Sequence, residues 1–156
     1  MWRIEPGPQV LEATNLTCMV YARQLRVFDV HAAEATCNKV NRSVGAFFAG
    51  YDVLMTRTTG GPPPPPGYLD ANDASLDMPG WLEKLSGLVP FTSVFNVTGQ
   101  PAISLSLGQD SHGLPIGLQF VTRYGDGGTL VQLAAQLEQA LPWSDRYPAM
   151  SETAQA

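Results

Sequence analysis

A chain of 156 residues with 44% hydrophobic and 15% charged residues is long enough for a real core in one domain and too apolar to be disordered. Its net charge of −5 argues against nucleic acid, whose phosphates demand a basic face. No apolar run reaches the length of a bilayer span.

The opening Met1-Trp-Arg-Ile-Glu-Pro6 lacks the basic start and apolar centre of a secretory signal. Cys18 and Cys37 are too few for a disulfide framework and lack metal-ligand spacing. They read as reduced, buried thiols of a cytoplasmic protein, which makes the sequons at Asn15, Asn41 and Asn96 chance matches.

Val10, Leu11, Leu16, Met19, Val20 and Leu25 predict one or two helical pieces over 9–26. Asp29 is placed to cap the next helix, where Val30, Ala33, Cys37, Val40, Val44 and Phe47 recur at three and four and form one apolar face. Gly50 supplies its stop. Tyr51-Asp-Val-Leu-Met-Thr56 is short and nearly all apolar, which predicts an interior strand covered on both faces. Gly60-Gly-Pro-Pro-Pro-Pro-Pro-Gly67 follows, within a Pro/Gly-rich loop over 57–80. Proline cannot donate to a sheet ladder, so the run predicts a stiff extended loop, and no basic anchor flanks it as in an SH3-type ligand. Trp81-Leu-Glu-Lys-Leu85 predicts a brief helix.

The next stretch is the most informative. Ile103, Leu105 and Leu107 alternate with Ser104 and Ser106, Asp110-Ser-His-Gly113 is a turn cluster, and Ile116 to Val121 resumes as an apolar run. Period-two alternation on either side of a turn predicts a β-hairpin in a larger sheet. Thr129 or Asp126 then caps a last helix whose Leu130, Leu133, Ala134, Leu137 and Leu141 share one face before Pro142 ends it. The order of elements predicts an α/β fold, a mixed β-sheet flanked by helices.

Phe91 to Val121 resembles the C-terminal signature of the amidase signature family, Asn-x-x-Gly-x-Pro-Ala-x-Ser-x-Pro-x-Gly followed by Gly-Leu-Pro-x-Gly-x-Gln. Tyr51-Asp-Val-Leu-Met-Thr56, Gly125-Asp126 and Leu141-Pro-Trp-Ser-Asp-Arg-Tyr-Pro148 fit the same order, so the likeness covers about residues 20–148. Four positions depart from the pattern: Arg57 and Ser106 where prolines are usual, and the pair Gly127-Gly128 where an acidic residue and a helix former are usual.

The resemblance implies hydrolysis of amides by a Ser–Ser–Lys triad, with a glycine- and serine-rich segment supplying N–H groups to the oxyanion. Those residues lie upstream of this signature in the family. The chain has no Gly-Gly-Ser-Ser-Gly-like segment, no paired serines, and only Lys39 and Lys84 as lysines, neither placed as a general base. Ser104 and Ser106 lack the sharp Gly-x-Ser-x-Gly elbow that exposes a nucleophile. His31 and His112 read as surface histidines without an acidic partner at a telling spacing. We therefore expect no catalytic residue, no metal and no cofactor here.

What remains is a pocket wall. Phe91, Thr92, Phe95, Asn96, Thr98, Gly99 and Gln100 are read as the loop leading into a core strand, and loops at strand ends line ligand clefts. Gly99 permits close approach and Asn96 holds the turn by side-chain hydrogen bonds; at least one of Phe91 and Phe95 packs in the core. The expectation is a single partial domain over 1–156, the C-terminal part of an amidase fold, inactive alone. It completes the sheet and the wall for a small amide substrate. The alternatives are a half that docks onto a separate catalytic half or forms a homo-oligomer, and a degenerate product without function. A sheet cut along its length leaves unpaired edges and apolar surface, which favours association or aggregation.

Overall fold

The computed structural model describes residues 7–146; residues 1–6 and the Tyr147-Pro148 end of the last signature piece lie outside the described residues. In chain order the elements are α1 (Ala13–Ala22), α2 (Val27–Phe47), β1 (Val53–Arg57), α3 (Met78–Leu88), α4 (Ser93–Thr98), β2 (Ala102–Gln109), β3 (Pro115–Thr122) and α5 (Gly127–Ala140). The strands lie in the order β1-β3-β2, with both pairings antiparallel. Helices flank this sheet, so the α/β layering expected from the sequence is what forms. Among the described residues, however, the sheet is wholly antiparallel rather than mixed, because β3 pairs with β2 through a tight hairpin and with β1 in the opposite direction.

The hairpin forms where alternation and turn chemistry agree. Asp110 Oδ1 accepts the N–H groups of His112 and Leu114 at 2.8 and 2.9 Å. Gly113 takes the left-handed backbone with φ 79°, which glycine adopts without a Cβ penalty. The ladder pairs Ile103 with Phe120 and Leu105 with Leu118, then shifts register between Ser106 and Gly108. That shift is a β-bulge, which bends the outer strand and strengthens its twist.

Alternation along the strands builds a core on each face of the sheet. On one face Leu105, Phe120 and Leu130 are buried, joined by Ile103, Leu107, Leu133, Ala134, Leu137 and Trp143. The stripe on α5 therefore does what its spacing implied. On the other face Val121 packs with Phe95 of α4 and Phe48 at the end of α2, beside Val44, Leu54 and Val94.

Three local expectations are corrected. β1 is an edge strand among the described residues, with Met55 60% exposed, because its neighbour on the open side is not supplied by these elements. Asp29 is not the cap residue but sits inside the first turn of α2. From there its Oδ2 accepts the Arg26 N–H at 2.8 Å, satisfying one of the free donors at a helix start. The thiols are free, as expected, yet Cys18 is exposed and Cys37 only half-buried, since the faces of α1 and α2 that carry them meet little of the rest of the chain.

The long connection from β1 to α3 is pinned rather than loose. The Gly60 N–H donates to Leu88 O at 2.8 Å and the Thr14 N–H to Ala71 O at 3.0 Å. Lys84 Nζ lies 5.0 Å from the centre of the Tyr68 ring, a cation–π contact. Asp77 caps α3, its Oδ1 accepting the Gly80 N–H at 2.9 Å. Helix α3 is consequently longer than the Trp81–Leu85 piece the sequence predicts.

Gly127 and Gly128 both fall inside α5. Neither has a positive φ, and a Cβ at either would meet no atom within 4 Å. Glycine there only enlarges the freedom of the unfolded chain, so Gly128→Ala is expected to stabilise by about 0.5–1 kcal/mol. The midpoint of urea unfolding reads it, and an unchanged or lowered midpoint counts against the placement of this turn. Just before it, the Thr129 hydroxyl donates to Asp126 Oδ1 at 2.9 Å and holds that carboxyl below the usual carboxylate range. The charged form favours the folded state, so this contribution is present above the unfolded value and lost as pH falls through the lowered one.

Candidate functional site

The segment expected to form a pocket wall is a short helix rather than a loop. Val94, Phe95 and Thr98 share one side of α4, with Phe95 and Thr98 buried. Thr98 Oγ1 donates to Val94 O at 3.0 Å. Valine, threonine and asparagine are indifferent helix formers, so burial against Val121 and Phe48 rather than propensity makes this helix. It stops at Gly99, whose φ of 74° is left-handed and whose N–H donates to Phe95 O at 2.9 Å, a glycine C-cap.

The expected wall residues are thus brought onto one helix and its two flanks, with unequal roles. The Phe95 ring is spent in the core, as expected for at least one of the two phenylalanines. Phe91 and Thr92 are half-buried at the helix start, and Asn96 faces solvent. The Asn96 side chain makes no hydrogen bond among the described residues; backbone bonds and Thr98 hold the turn it was expected to hold. A Cβ on Gly99 would lie 3.4 Å from the Tyr124 ring, and the buried Gln100 Oε1 has no hydrogen-bond partner among the described residues. Phe91, Thr92, Asn96, Gly99 and Gln100 therefore remain as candidate wall positions.

A separate cavity of about 490 Å³ opens between the proline loop and the hairpin tip, lined among others by Arg57, Pro62, Pro63, His112, Leu114 and Ile116. None of the expected wall residues lines it. Sequence reasoning missed this cavity, because only folding brings 57–63 beside 110–117. Next to it, Thr58 Oγ1 hydrogen-bonds Ser104 Oγ, and Gln119 Nε2 donates to Thr56 Oγ1 at 3.1 Å. Gly117 lies under these hydroxyls, and a Cβ there would stand 2.9 Å from Thr58 Oγ1.

The hydroxyls and imidazoles do not assemble a nucleophile. Ser104 faces Thr58, not a base. Both histidines do have a carboxylate neighbour, contrary to expectation: His31 Nδ1 lies 3.1 Å from Glu34 Oε2, and His112 Nδ1 lies 3.8 Å from Asp110 Oδ2. These are local pairs within a helix turn and a hairpin turn. Ser111 Oγ is 3.4 Å from that same Nδ1 of His112, and the side chain is 82% exposed. A relay needs the serine on one ring nitrogen and the carboxylate on the other, so Asp110-Ser111-His112 is a surface turn. Among the described residues no group of His, Cys, Asp and Glu could hold a metal ion, and no helix is long and apolar enough to cross a membrane.

A sequence profile of the Amidase family matches residues 9–131. AmiC of Mycobacterium leprae (strain TN) is 42% identical over 106 residues, covering 68% of this chain and 22% of its own. The 6-aminohexanoate-cyclic-dimer hydrolase of Paenarthrobacter ureafaciens is 42% identical over 103 residues, covering 64% of this chain and 21% of its own. The solved structure of 6-aminohexanoate cyclic dimer hydrolase complexed with substrate superimposes with a TM-score of 0.77 at 33% identity. That likeness covers 88% of this chain and 30% of the other. The chain spans about a fifth of the length of the curated relatives it matches. The signature hairpin, the helix that precedes it and the fold they share with these hydrolases lead to one conclusion: the chain belongs to the amidase family.

Proposed function

We propose that this chain is the scaffold side of a hydrolase of linear carbon–nitrogen amide bonds, one partial domain that completes the sheet and the pocket wall. The observation that carries this reading is the family signature seated on the β2–β3 hairpin without any paired nucleophile and base among the described residues. Phe91, Thr92, Asn96, Gly99 and Gln100 form the wall facing a small amide, with Phe95 fixing the helix that presents them. The unpartnered Gln100 Oε1 supports the wall assignment, because a buried carbonyl oxygen without a donor is costly until one arrives.

The chain alone is expected to leave 6-aminohexanoate cyclic dimer and simple aliphatic or aryl amides intact. Joined in one polypeptide behind the segment that precedes the matched region in the Paenarthrobacter ureafaciens hydrolase, it is expected to support hydrolysis. Turnover by the rigorously purified chain alone, or a folded but inert chimera, sinks the reading. A second reading, a half that docks onto a separate catalytic half, is favoured by the open edge of β1.

A further inference from the structure

The cavity between the proline loop and the hairpin tip is not part of the wall on α4. Leu54 of β1 packs with Phe95, whereas Val53 packs with Phe120 on the opposite face of the sheet. Alternation along β1 therefore turns Arg57 toward the Val53 face, away from α4.

The walls of the cavity are apolar and fastened in advance. Pro62 and Pro63 stand on one side, Leu114 and Ile116 on the other. On the loop side the Gly60 N–H donates to Leu88 O, and the Thr59 hydroxyl donates to Gly61 O at 2.9 Å. The prolines fix their own φ. On the hairpin side Asp110 Oδ1 accepts the N–H groups of His112 and Leu114. The volume of about 490 Å³ falls within the range of small-molecule sites, about 300–1,000 Å³. Walls that are already ordered spare a ligand the cost of ordering them.

One charge at this cavity is left over. Arg57 lines it and is exposed, and it forms no ion pair among the described residues, whereas Arg123 contacts both Asp52 and Asp126. Asp110 lines the same space but is otherwise engaged. Its Oδ1 serves two backbone N–H groups, and its Oδ2 lies 3.8 Å from His112 Nδ1. Arg57 also stands where the family pattern usually has proline, so this cation is no part of the signature. A guanidinium matches the two oxygens of a carboxylate with parallel N–H donors.

We propose that the cavity is a binding site for a small monocarboxylate with an apolar body. The acid group meets Arg57, and the hydrocarbon or aromatic part lies between the two prolines and Leu114 and Ile116. The site shares no residue with the wall on α4, and its occupancy does not depend on the hydrolase reading.

The test titrates octanoate into the 156-residue chain by calorimetry, and saturable binding at one site per chain is expected. Octanamide, the same body without the charge, is expected to bind about tenfold or more weakly, the worth of one charge-assisted hydrogen-bonded pair. Arg57→Gln alters an exposed, unpaired side chain, so the variant keeps its far-UV dichroism. It is expected to weaken octanoate by the same factor and leave octanamide unchanged, which erases the preference for the acid. Gly61→Leu fills the cavity from a lining position where a Cβ meets no atom within 4 Å. It is expected to exclude both ligands with an unchanged urea midpoint. Uptake that does not saturate, equal binding of acid and amide by the unsubstituted chain, or octanoate affinity that survives either substitution overturns the site.

Discussion

Phe120→Ala is expected to lower the free energy of unfolding by about 3–5 kcal/mol, the range for deleting a buried aromatic ring. Phe120 lies in the central strand, paired with Met55 on one side and Ile103 on the other. Its ring is buried with Leu105 and Leu130 under α5. The cavity cannot collapse, because β3 is held on both edges and α5 is seated by several other side chains. Domains of this size are stable by about 5–15 kcal/mol in all, so the variant stands near the edge of folding. Val131→Ala, on the exposed face of α5, is the control and should change stability by less than about 0.5 kcal/mol. Urea titrations followed by far-UV dichroism read both, and a loss below about 1 kcal/mol for Phe120→Ala means that α5 does not pack on the sheet in this way.

Gly60→Ala carries the second large effect, for a different reason. A Cβ on Gly60 would lie 2.6 Å from Gly87 O and 3.2 Å from Pro90 Cδ. The nearer atom is backbone, so no rotamer change relieves the clash. The same residue donates its N–H to Leu88 O, so the methyl group pushes the loop off the end of α3 and breaks the bond that fastens it. A cost of about 1–3 kcal/mol follows from overpacking of this kind. Gly61→Ala, where a Cβ meets nothing within 4 Å, should be close to neutral. Faster cleavage within residues 62–76 by a nonspecific protease should accompany Gly60→Ala and not Gly61→Ala; equal cleavage of the two variants rules out the anchor.

The hairpin and the last helix were legible in the sequence because their signals are local. Ile103, Leu105 and Leu107 alternate with serines over a stretch short enough that one sheet face explains them. Asp110 and Gly113 close the turn with their own side chain and backbone. The Leu130–Leu137 stripe needs only a partner of any kind. The helix over 93–98 was not legible, because Val94, Asn96, Val97 and Thr98 carry little helical preference and the breaker at Gly99-Gln-Pro101 invites a loop. Phe95, finding Phe48 and Val121, decides the matter from residues 47 and 26 positions away. The cavity beside Arg57 was equally invisible, since its two walls are separated by about half a hundred residues of chain.

By itself the sequence determined the family, the paired strands β2 and β3, and the apolar face of α5. Each of these is written in residue type and spacing along a single segment. Only the tertiary structure decided that, among the described residues, β3 is the central strand and β1 an edge, that Phe95 is spent on the core, and that Met55 and Tyr51 face outward. An apolar strand states that it wants neighbours; which side has one depends on contacts between segments far apart in the chain, and spacing carries no record of those.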